Sequence, residues 1–232
     1  MALEGEQKMA YQLCFFDLDG TLTDPKPGIT KSFQYALASF GIHEELNNLT
    51  KFIGPPLRAS FRDFYGFTDI DTEQAVTKFR EYFAETGLFE NTVYPDIPEV
   101  LQNLVGRGIV LAVVTSKATA YADRILRYFH LDQYFSFISG DEMDGSLTRN
   151  GKQALIHIAL NALDQERKVP AVMIGDRKHD IIGAQEAGID SIGITWGYGS
   201  YDELKSSGAM YIVNSADELY RLITDYTRER QD

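Results

Sequence analysis

Residues 13–24 read Leu13-Cys14-Phe15-Phe16-Asp17-Leu18-Asp19-Gly20-Thr21-Leu22-Thr23-Asp24, a short apolar run followed by two aspartates and a Gly-Thr pair. An apolar run of this length that stops at a turn signal is typical of a buried strand in a parallel sheet. In open sheets with alternating strands and helices, ligands bind just beyond the carboxyl ends of the strands. We therefore expect Asp17 and Asp19 at the rim of a ligand crevice.

The two carboxylates repel each other unless a cation or a shared proton relieves them. One interpretation is a site for a hard divalent metal with oxygen ligands. Another is a pair in which one carboxylate is a nucleophile and the other a general acid. A third is an exposed Asp-x-Asp-Gly turn without function, since short motifs also occur by chance. The apolar run before Asp17 favours a functional site, and the rest of the chain must decide between the first two.

Composition excludes several classes of protein. The chain has 232 residues, of which 44% are hydrophobic and 24% charged, as in an ordinary globular protein. The net charge of −12 argues against a nucleic-acid partner but allows a small phosphorylated ligand held by a local lysine and a metal. Cys14 is the only cysteine, which excludes a disulfide framework and a thiolate metal site. No apolar stretch is long enough to span a membrane, and Met1–Gln12 lacks a signal-peptide core, so we expect a cytoplasmic protein with no membrane partner.

Two kinds of periodicity divide the chain. Helical spacing predicts helices over 29–40, 57–64 and 71–86 without a strand between them, and the chain breakers of Asp24–Gly28 predict a loop before them. Beyond residue 98, helices alternate with the strands 109–114, 135–138, 171–174, 191–195 and 209–213, and a last helix covers 216–228. This alternation predicts an α/β fold with a doubly wound parallel sheet. We expect a catalytic core of residues 1–25 and 94–232, and an inserted helical cap of residues 26–93 that closes as a lid.

Polar residues also lie near the ends of three further predicted strands. Thr115 and Ser116 directly follow one strand, and Lys152 begins the helix after the next. Asp176 follows a third strand, and Asp180 comes four residues later. Each alone has a plainer interpretation as a helix cap, a surface lysine or turn aspartates. Together they put carboxylates, which suit a hard cation, beside hydroxyl, amide and ammonium groups, which suit an anion. The ligand that fits both halves is a phosphate bridged to Mg²⁺.

These stretches together resemble the four motifs of the haloacid dehalogenase superfamily: Asp17-Leu18-Asp19-Gly20-Thr21-Leu22, Thr115-Ser116, Lys152 and Gly175-Asp176-Arg177-Lys178-His179-Asp180. The resemblance covers nearly the whole chain and includes a helical cap of the C1 type after the first motif. Three more stretches are similar to the phosphoglycolate phosphatase-like branch: Phe52-Ile53-Gly54-Pro55-Pro56-Leu57, Tyr94-Pro95 and Thr195-Trp196-Gly197-Tyr198-Gly199. That branch also contains nucleotidases, pyrophosphatases and sugar-phosphate enzymes.

The resemblance implies a Rossmann-like core and a role for each motif residue. It makes Asp17 the nucleophile that forms an aspartyl-phosphate, and Asp19 the general acid and then the base. It implies Mg²⁺ held by Asp17, the backbone carbonyl of Asp19 and Asp176, with Asp180 as a further ligand or as a neighbour of one. It assigns phosphate binding to Leu18, Thr115, Ser116 and Lys152. In the cap, Arg58 is a candidate for contacting the distal part of the substrate, or else an ordinary arginine on a helix surface.

The resemblance predicts a Mg²⁺-dependent phosphomonoester hydrolase for a small phosphorylated metabolite, with phosphoglycolate or a nucleoside monophosphate as candidate substrates. The resemblance also allows three other enzymatic interpretations: a 5′-nucleotidase, a pyrophosphatase or a phosphomutase of the β-phosphoglucomutase type. A non-catalytic phospholigand-binding protein is the alternative outside enzymes, and the intact Asp17 and Asp19 argue against it. We expect a monomer or a homodimer.

Overall fold

The computed structural model describes residues 11–149 and 151–225. Six strands form one parallel sheet in the order β5-β4-β1-β6-β7-β8, and two short strands form an antiparallel pair, β2-β3. The strands are β1 (Leu13–Phe16), β2 (Thr23–Asp24), β3 (Thr92–Val93), β4 (Val110–Ala118), β5 (Phe137–Asp141), β6 (Ala171–Gly175), β7 (Asp190–Ile194) and β8 (Tyr211–Val213). The predicted doubly wound parallel sheet is confirmed.

Helices connect these strands and cover the sheet on both sides. They are α1 (Lys26–Ala38), α2 (Leu57–Tyr65), α3 (Asp69–Tyr82), α4 (Ile97–Gly106), α5 (Thr119–Tyr128), α6 (Gln153–Leu163), α7 (Lys178–Ala187), α8 (Tyr201–Ser206) and α9 (Ala216–Asp225). Short 3₁₀ turns lie at Leu46–Phe52 and Asp132–Tyr134, and a π-helical turn lies at Phe83–Gly87. None of the helices in the described ranges is long and apolar enough to cross a membrane.

The central strand β1 is apolar throughout because both of its faces are buried. Leu13 and Phe15 belong to a core cluster that includes residues of α6, whereas Cys14 and Phe16 belong to the cluster on the other side. Their exposures are between 0% and 1%, and a fully buried side chain of this size contributes about 1.5–3 kcal/mol of transfer free energy. The parallel pairing of β1 with β4 and β6 brings the carboxyl ends of three strands to one edge.

The helices between β2 and β3 have an aromatic core of their own. The ring of Phe33 in α1 lies 4.7 Å from that of Phe52, 5.0 Å from that of Phe61 and 5.1 Å from that of Phe79, measured between centroids. Between residues 26 and 91, all of which are described, there is no strand, as predicted. We call these helices the cap; its boundaries at residues 26 and 93 remain a prediction.

The entry to the cap differs from the sequence prediction. A loop was expected over Asp24–Gly28, but α1 begins at Lys26. Proline is tolerated in the first helical turn, where its missing N–H needs no partner, so Pro27 does not break the helix. Gly28 also fits there because it packs on the π-helical turn: a Cβ at this position would lie 1.9 Å from the carbonyl oxygen of Gly87.

Other elements also have boundaries that differ from the sequence prediction. Strand β4 continues to Ala118 instead of ending at residue 114, with a register shift against β5 after Thr115. The strand expected over 135–138 lies at Phe137–Asp141. The last predicted helix is described to Asp225, and its continuation to residue 228 lies outside the described residues, as do the first ten residues of the segment examined for a signal peptide.

Candidate active site

Three buried aspartates meet at the carboxyl edge of the sheet. Asp17 follows β1, and its backbone N–H donates to the carbonyl of Ile174 in β6 at 2.9 Å. Asp176 follows β6, and Asp180 lies in the first turn of α7. One carboxylate oxygen from each of the three aspartates lies within 4.8 Å of the others. The structure thus brings together three of the four residues that were predicted to hold a metal.

Glycines make room for the Asp176 carboxylate. Gly20 has a φ of +85°, a conformation that L side chains rarely adopt, and a Cβ there would lie 2.3 Å from Asp176 Oδ2. A Cβ at Gly197 would lie 2.4 Å from the same oxygen. The backbone N–H of Tyr198 donates to Asp176 Oδ2 at 2.7 Å, which fixes the carboxylate between these two glycines.

Burial and mutual repulsion make this cluster fit a divalent cation. Burial, followed by the charges of Asp180 and Asp17, raises the pKa of Asp176 to about 8. Burial is also the main cause that raises the pKa of Asp180. Three carboxylates this close and this deeply buried favour a hard cation with oxygen ligands. Such a cation offsets both the cost of burying negative charge and the repulsion between the carboxylates. The donor set therefore fits Mg²⁺ in charge and chemistry.

Lys152 is the cation that the structure places beside this cluster. Its ammonium group lies 2.9 Å from Asp17 Oδ1 and also forms an ion pair with Asp180. The Lys152 side chain is 2% exposed, and the pKa of its ammonium is raised by the two carboxylates, against the opposing effect of burial. Gly183 of α7 permits this approach, since a Cβ there would lie 2.9 Å from Lys152 Cβ. Lys152 is therefore held charged next to the expected nucleophile.

Asp19 lies in a different environment from Asp17, although only one residue separates them. Its Oδ2 pairs with Lys117 Nζ at 2.8 Å, while its buried Oδ1 has no hydrogen-bond partner among the residues that the structure describes. Burial raises the pKa of Asp19, and the charge of Lys117 partly offsets that rise. Lys117 was not among the predicted site residues, although its position directly after Thr115-Ser116, near a strand end, is a signal that could have identified it.

A cavity of about 600 Å³ opens above these residues, between the sheet edge and the cap. Asp17, Asp19, Thr115 and Ser116 line its floor. Thr115 is buried, and its hydroxyl accepts a hydrogen bond from the Lys117 backbone N–H at 3.3 Å. The Asp17 carboxylate accepts from the Leu18 backbone N–H at 2.8 Å. The residues that were predicted to bind a phosphate are thus at or beside the floor of one cavity.

The cap forms the opposite wall of the cavity, and Arg58 is part of that wall. Its guanidinium is engaged by Glu73, at 2.5 Å from Nε to Oε1 and 2.9 Å from Nη2 to Oε2. Arg80 also lines the cavity, and its guanidinium donates to the backbone carbonyl of Met143 in the loop after β5. Arg58 therefore faces the cavity, as expected for a substrate contact, but its guanidinium already forms an ion pair with Glu73.

Tyr198 joins the acidic cluster to the entry of the cap. Its backbone N–H donates to Asp176, and its hydroxyl donates to Asp24 Oδ1. The same oxygen of Asp24 accepts from the Lys26 backbone N–H at 2.9 Å, at the start of α1. This connection spans more than 170 residues of chain, and no local pattern in the sequence could predict it.

The chain is similar to known proteins over most of its length. The sequence profile of haloacid dehalogenase-like hydrolases matches residues 14–194. A 5′-nucleotidase of Pseudomonas aeruginosa is 48% identical over 201 residues, which cover 85% of this chain and 89% of that protein. A phosphoglycolate phosphatase of Vibrio parahaemolyticus is 28% identical over 224 residues, covering 91% of this chain and 96% of that protein. The crystal structure of a predicted phosphatase from Clostridium acetobutylicum is 45% identical, with a TM-score of 0.88, and the match covers 94% of this chain and 100% of that one. The chain belongs to the haloacid dehalogenase-like hydrolase family.

Proposed function

We propose that the protein is a Mg²⁺-dependent phosphomonoesterase that acts on a small phosphorylated metabolite through an aspartyl-phosphate on Asp17. The observation that carries this proposal is the position of the Asp17 carboxylate. It belongs to the buried acidic cluster, pairs with Lys152 and also faces the cavity beside Asp19. A phosphoryl group at this point would meet a nucleophile, an ammonium group and a candidate proton donor together.

Each residue then has a defined task. A carboxylate oxygen of Asp17 attacks phosphorus, the bond to the ester oxygen breaks, and Asp19 gives that oxygen its proton. Asp19 next takes a proton from water, whose oxygen attacks the aspartyl-phosphate and releases inorganic phosphate and free Asp17. Thr115, Ser116 and Lys152 bind the phosphoryl oxygens, together with the backbone amide of Leu18.

The raised pKa of Asp19 suits a proton donor near neutral pH. Asp17, Asp176, Asp180 and the backbone carbonyl of Asp19 would hold Mg²⁺, which when bound neutralises charge on the phosphoryl oxygens.

For the substrate, we propose nucleoside 5′-monophosphates ahead of phosphoglycolate. The relative that is 48% identical is named a 5′-nucleotidase, whereas the phosphoglycolate phosphatase cited above is 28% identical. The cavity also has aromatic walls, to which Phe52, Phe79, Phe83 and Tyr121 contribute. Such rings can pack on a nucleobase, whereas phosphoglycolate offers them no ring. A small intracellular metabolite is the expected partner, and the protein acts without nucleic-acid or membrane partners.

Release of inorganic phosphate tests the proposal. The wild-type protein is assayed with Mg²⁺ on p-nitrophenyl phosphate, a panel of nucleoside monophosphates, phosphoglycolate and a hexose phosphate. We expect steady phosphate release that chelation abolishes and that Asp17→Asn lacks. Turnover that survives in Asp17→Asn would refute the mechanism. Isomerisation of a sugar phosphate without phosphate release would show a phosphomutase instead, and phosphoglycolate as the best substrate would overturn the choice of nucleotide.

A further inference from the structure

The side chain of Arg177 joins three parts of the molecule. Its Nη1–H donates to the carbonyl of Ile53 in the cap at 2.6 Å, and its Nε–H donates to Glu203 Oε1 in α8 at 2.9 Å. Its own backbone N–H donates to Asp180 Oδ2 at 3.0 Å. The side chain of Arg177 therefore contacts the cap, while its backbone lies between Asp176 and the start of α7, which carries Asp180.

The cap is shaped to receive this side chain. Gly54 follows Ile53 with a φ of +100°, and a Cβ at Gly54 would lie 3.0 Å from Arg177 Nη1 and 3.2 Å from its Cγ. On the other side, a Cβ at Gly199 would lie 3.4 Å from Arg177 Cδ. The Arg177 side chain is only 15% exposed and its partner Glu203 only 24%. This arginine is thus enclosed between the cap and the core, unlike an arginine on a free surface.

The contact has the strength and geometry to hold the cap in place. A hydrogen bond from a charged donor is stronger than a neutral one, and Glu203 fixes the guanidinium in the orientation that reaches Ile53. Glu203 also accepts from the Lys178 backbone N–H at 2.9 Å. It therefore binds two consecutive residues, Arg177 and Lys178. Ile53 belongs to the segment that carries Gly54, Pro55 and Pro56, which line the cavity.

We propose that Arg177 is a positioning residue that holds the cap over the cavity and links the position of the cap to the segment 176–180, which carries Asp176 and Asp180. Removing the side chain opens the edge of the cap near Ile53 and weakens retention of substrate. The kinetic part of this proposal rests on the proposed phosphomonoesterase function. The conformational part does not, because the hydrogen bond from Arg177 to Ile53 joins two segments of the chain itself.

Hydrogen exchange measured by mass spectrometry tests the conformational part. Arg177→Gln is compared with the wild type and with Lys178→Gln, which removes an exposed cation from the adjacent position. We expect exchange over residues 51–57 to rise about tenfold in Arg177→Gln, the factor that corresponds to losing one charge-assisted hydrogen bond. Strands β1 and β6 and the Lys178→Gln variant should exchange as in the wild type.

Kinetics on p-nitrophenyl phosphate with Mg²⁺ test the consequence for the site. We expect kcat/KM to fall about tenfold in Arg177→Gln, mainly through KM, because an open cap retains substrate less well. Arg177→Lys keeps the charge but cannot reach Ile53 and Glu203 together, so it should restore only part of kcat/KM. Lys178→Gln should match the wild type in both constants.

Several results would overturn the proposal. Unchanged exchange over residues 51–57 in Arg177→Gln would do so, as would a rise spread equally over β1 and β6, which marks a general loss of stability. A kcat/KM equal to that of Lys178→Gln would also do so. If Arg177→Gln does not fold, Glu203→Gln replaces it and must raise exchange in the same segment. If the wild type hydrolyses no phosphomonoester, the proposed function fails, while the exchange result still decides whether Arg177 holds the cap.

Discussion

Replacing Lys152 by methionine tests whether a single buried cation holds the acidic cluster together. Lys152 forms ion pairs with Asp17 and Asp180, and its side chain is 2% exposed. Methionine has a similar length and no charge, so the variant removes both ion pairs while keeping most of the packing. Asp17, Asp176 and Asp180 then share one buried site without the ammonium group.

The expected loss of stability is large. Removing one partner of a buried ion pair costs about 3–5 kcal/mol, because the other charge stays buried without compensation. That is a considerable part of the total stability of a domain, which is about 5–15 kcal/mol. The loss depends on pH in a defined direction. Burial raises the pKa values of Asp176 and Asp180 in the folded state, so these two carboxyl groups take up protons as the pH falls, and protonation removes their part of the repulsion. We therefore expect a loss near 3–5 kcal/mol at about pH 8 and a smaller one at about pH 5.

The assay is urea unfolding at both pH values in the presence of a chelator, followed by phosphate release with Mg²⁺. Lys168→Met is the matched control, since Lys168 pairs with Glu166 at the surface and its side chain is 72% exposed. A surface pair of this kind contributes about 0–1 kcal/mol. We expect Lys152→Met to lose phosphatase activity and Lys168→Met to keep it. Equal losses of stability in the two variants, or a loss in Lys152→Met that grows as the pH falls, would refute the reasoning.

Three further results are expected. Gly20→Ala should weaken Mg²⁺ binding in a titration, because the added Cβ would lie 2.3 Å from Asp176 Oδ2. The control is Gly41→Ala, at a glycine that also has a positive φ but has no atom within 4 Å of its Cβ position. This control should bind Mg²⁺ as the wild type does. Mg²⁺ should raise the Tm more at about pH 8 than at about pH 6, since binding displaces a proton from Asp176 below its raised pKa, and an equal rise would contradict this. Lys117→Met should lower kcat on p-nitrophenyl phosphate about 10²-fold, because Asp19 loses the ion pair that holds its carboxyl group, and an unchanged kcat would exclude that role.

The sequence predicted the α/β sheet because its signal is local. A strand covered on both faces needs consecutive apolar residues, and Leu13–Phe16 and Ala171–Gly175 show that pattern directly. Parallel strands then end at one edge, so residues that follow strand ends must converge there. The sequence alone therefore predicts that Asp17, Thr115 and Asp176 lie at the same edge, and the predicted family is confirmed.

The errors arose where a distant contact decides the local structure. The expected loop at Asp24–Gly28 includes the start of α1 at Lys26 because Gly28 packs against Gly87, which lies far along the chain in the π-helical turn after α3. Strand β4 continues past Thr115 because β5 pairs with it as far as Asp141. Both partners are ordinary residues in their own stretch of sequence. Neither contact leaves a periodicity or a motif that could be recognised beforehand.

The connections around the site were missed for the same reason. In the sequence, Arg177 has no evident role, and residues 195–199 indicate only a branch of the family. In the structure, Arg177 reaches Ile53 in the cap, and Tyr198 reaches Asp24 at the start of the cap. Both residues also bind the acidic cluster through backbone N–H groups. The motif predicted the chemistry of the site, but its attachment to the cap depends on pairings between segments that only the fold brings together.

The difference between Asp17 and Asp19 follows from two lysines that come from different elements. Spacing alone left a metal site, an acid–nucleophile pair and a turn without function as open interpretations of the two carboxylates. Lys152, directly before α6, and the Leu18 amide both bind the Asp17 carboxylate and so fix its position at the cavity. Lys117, at the end of β4, contacts only one oxygen of Asp19, and burial of the other keeps the pKa of that group raised. In the proposed mechanism Asp17 is both nucleophile and metal ligand, and Asp19 keeps a proton until the leaving oxygen takes it, so the two interpretations apply together and share Asp17.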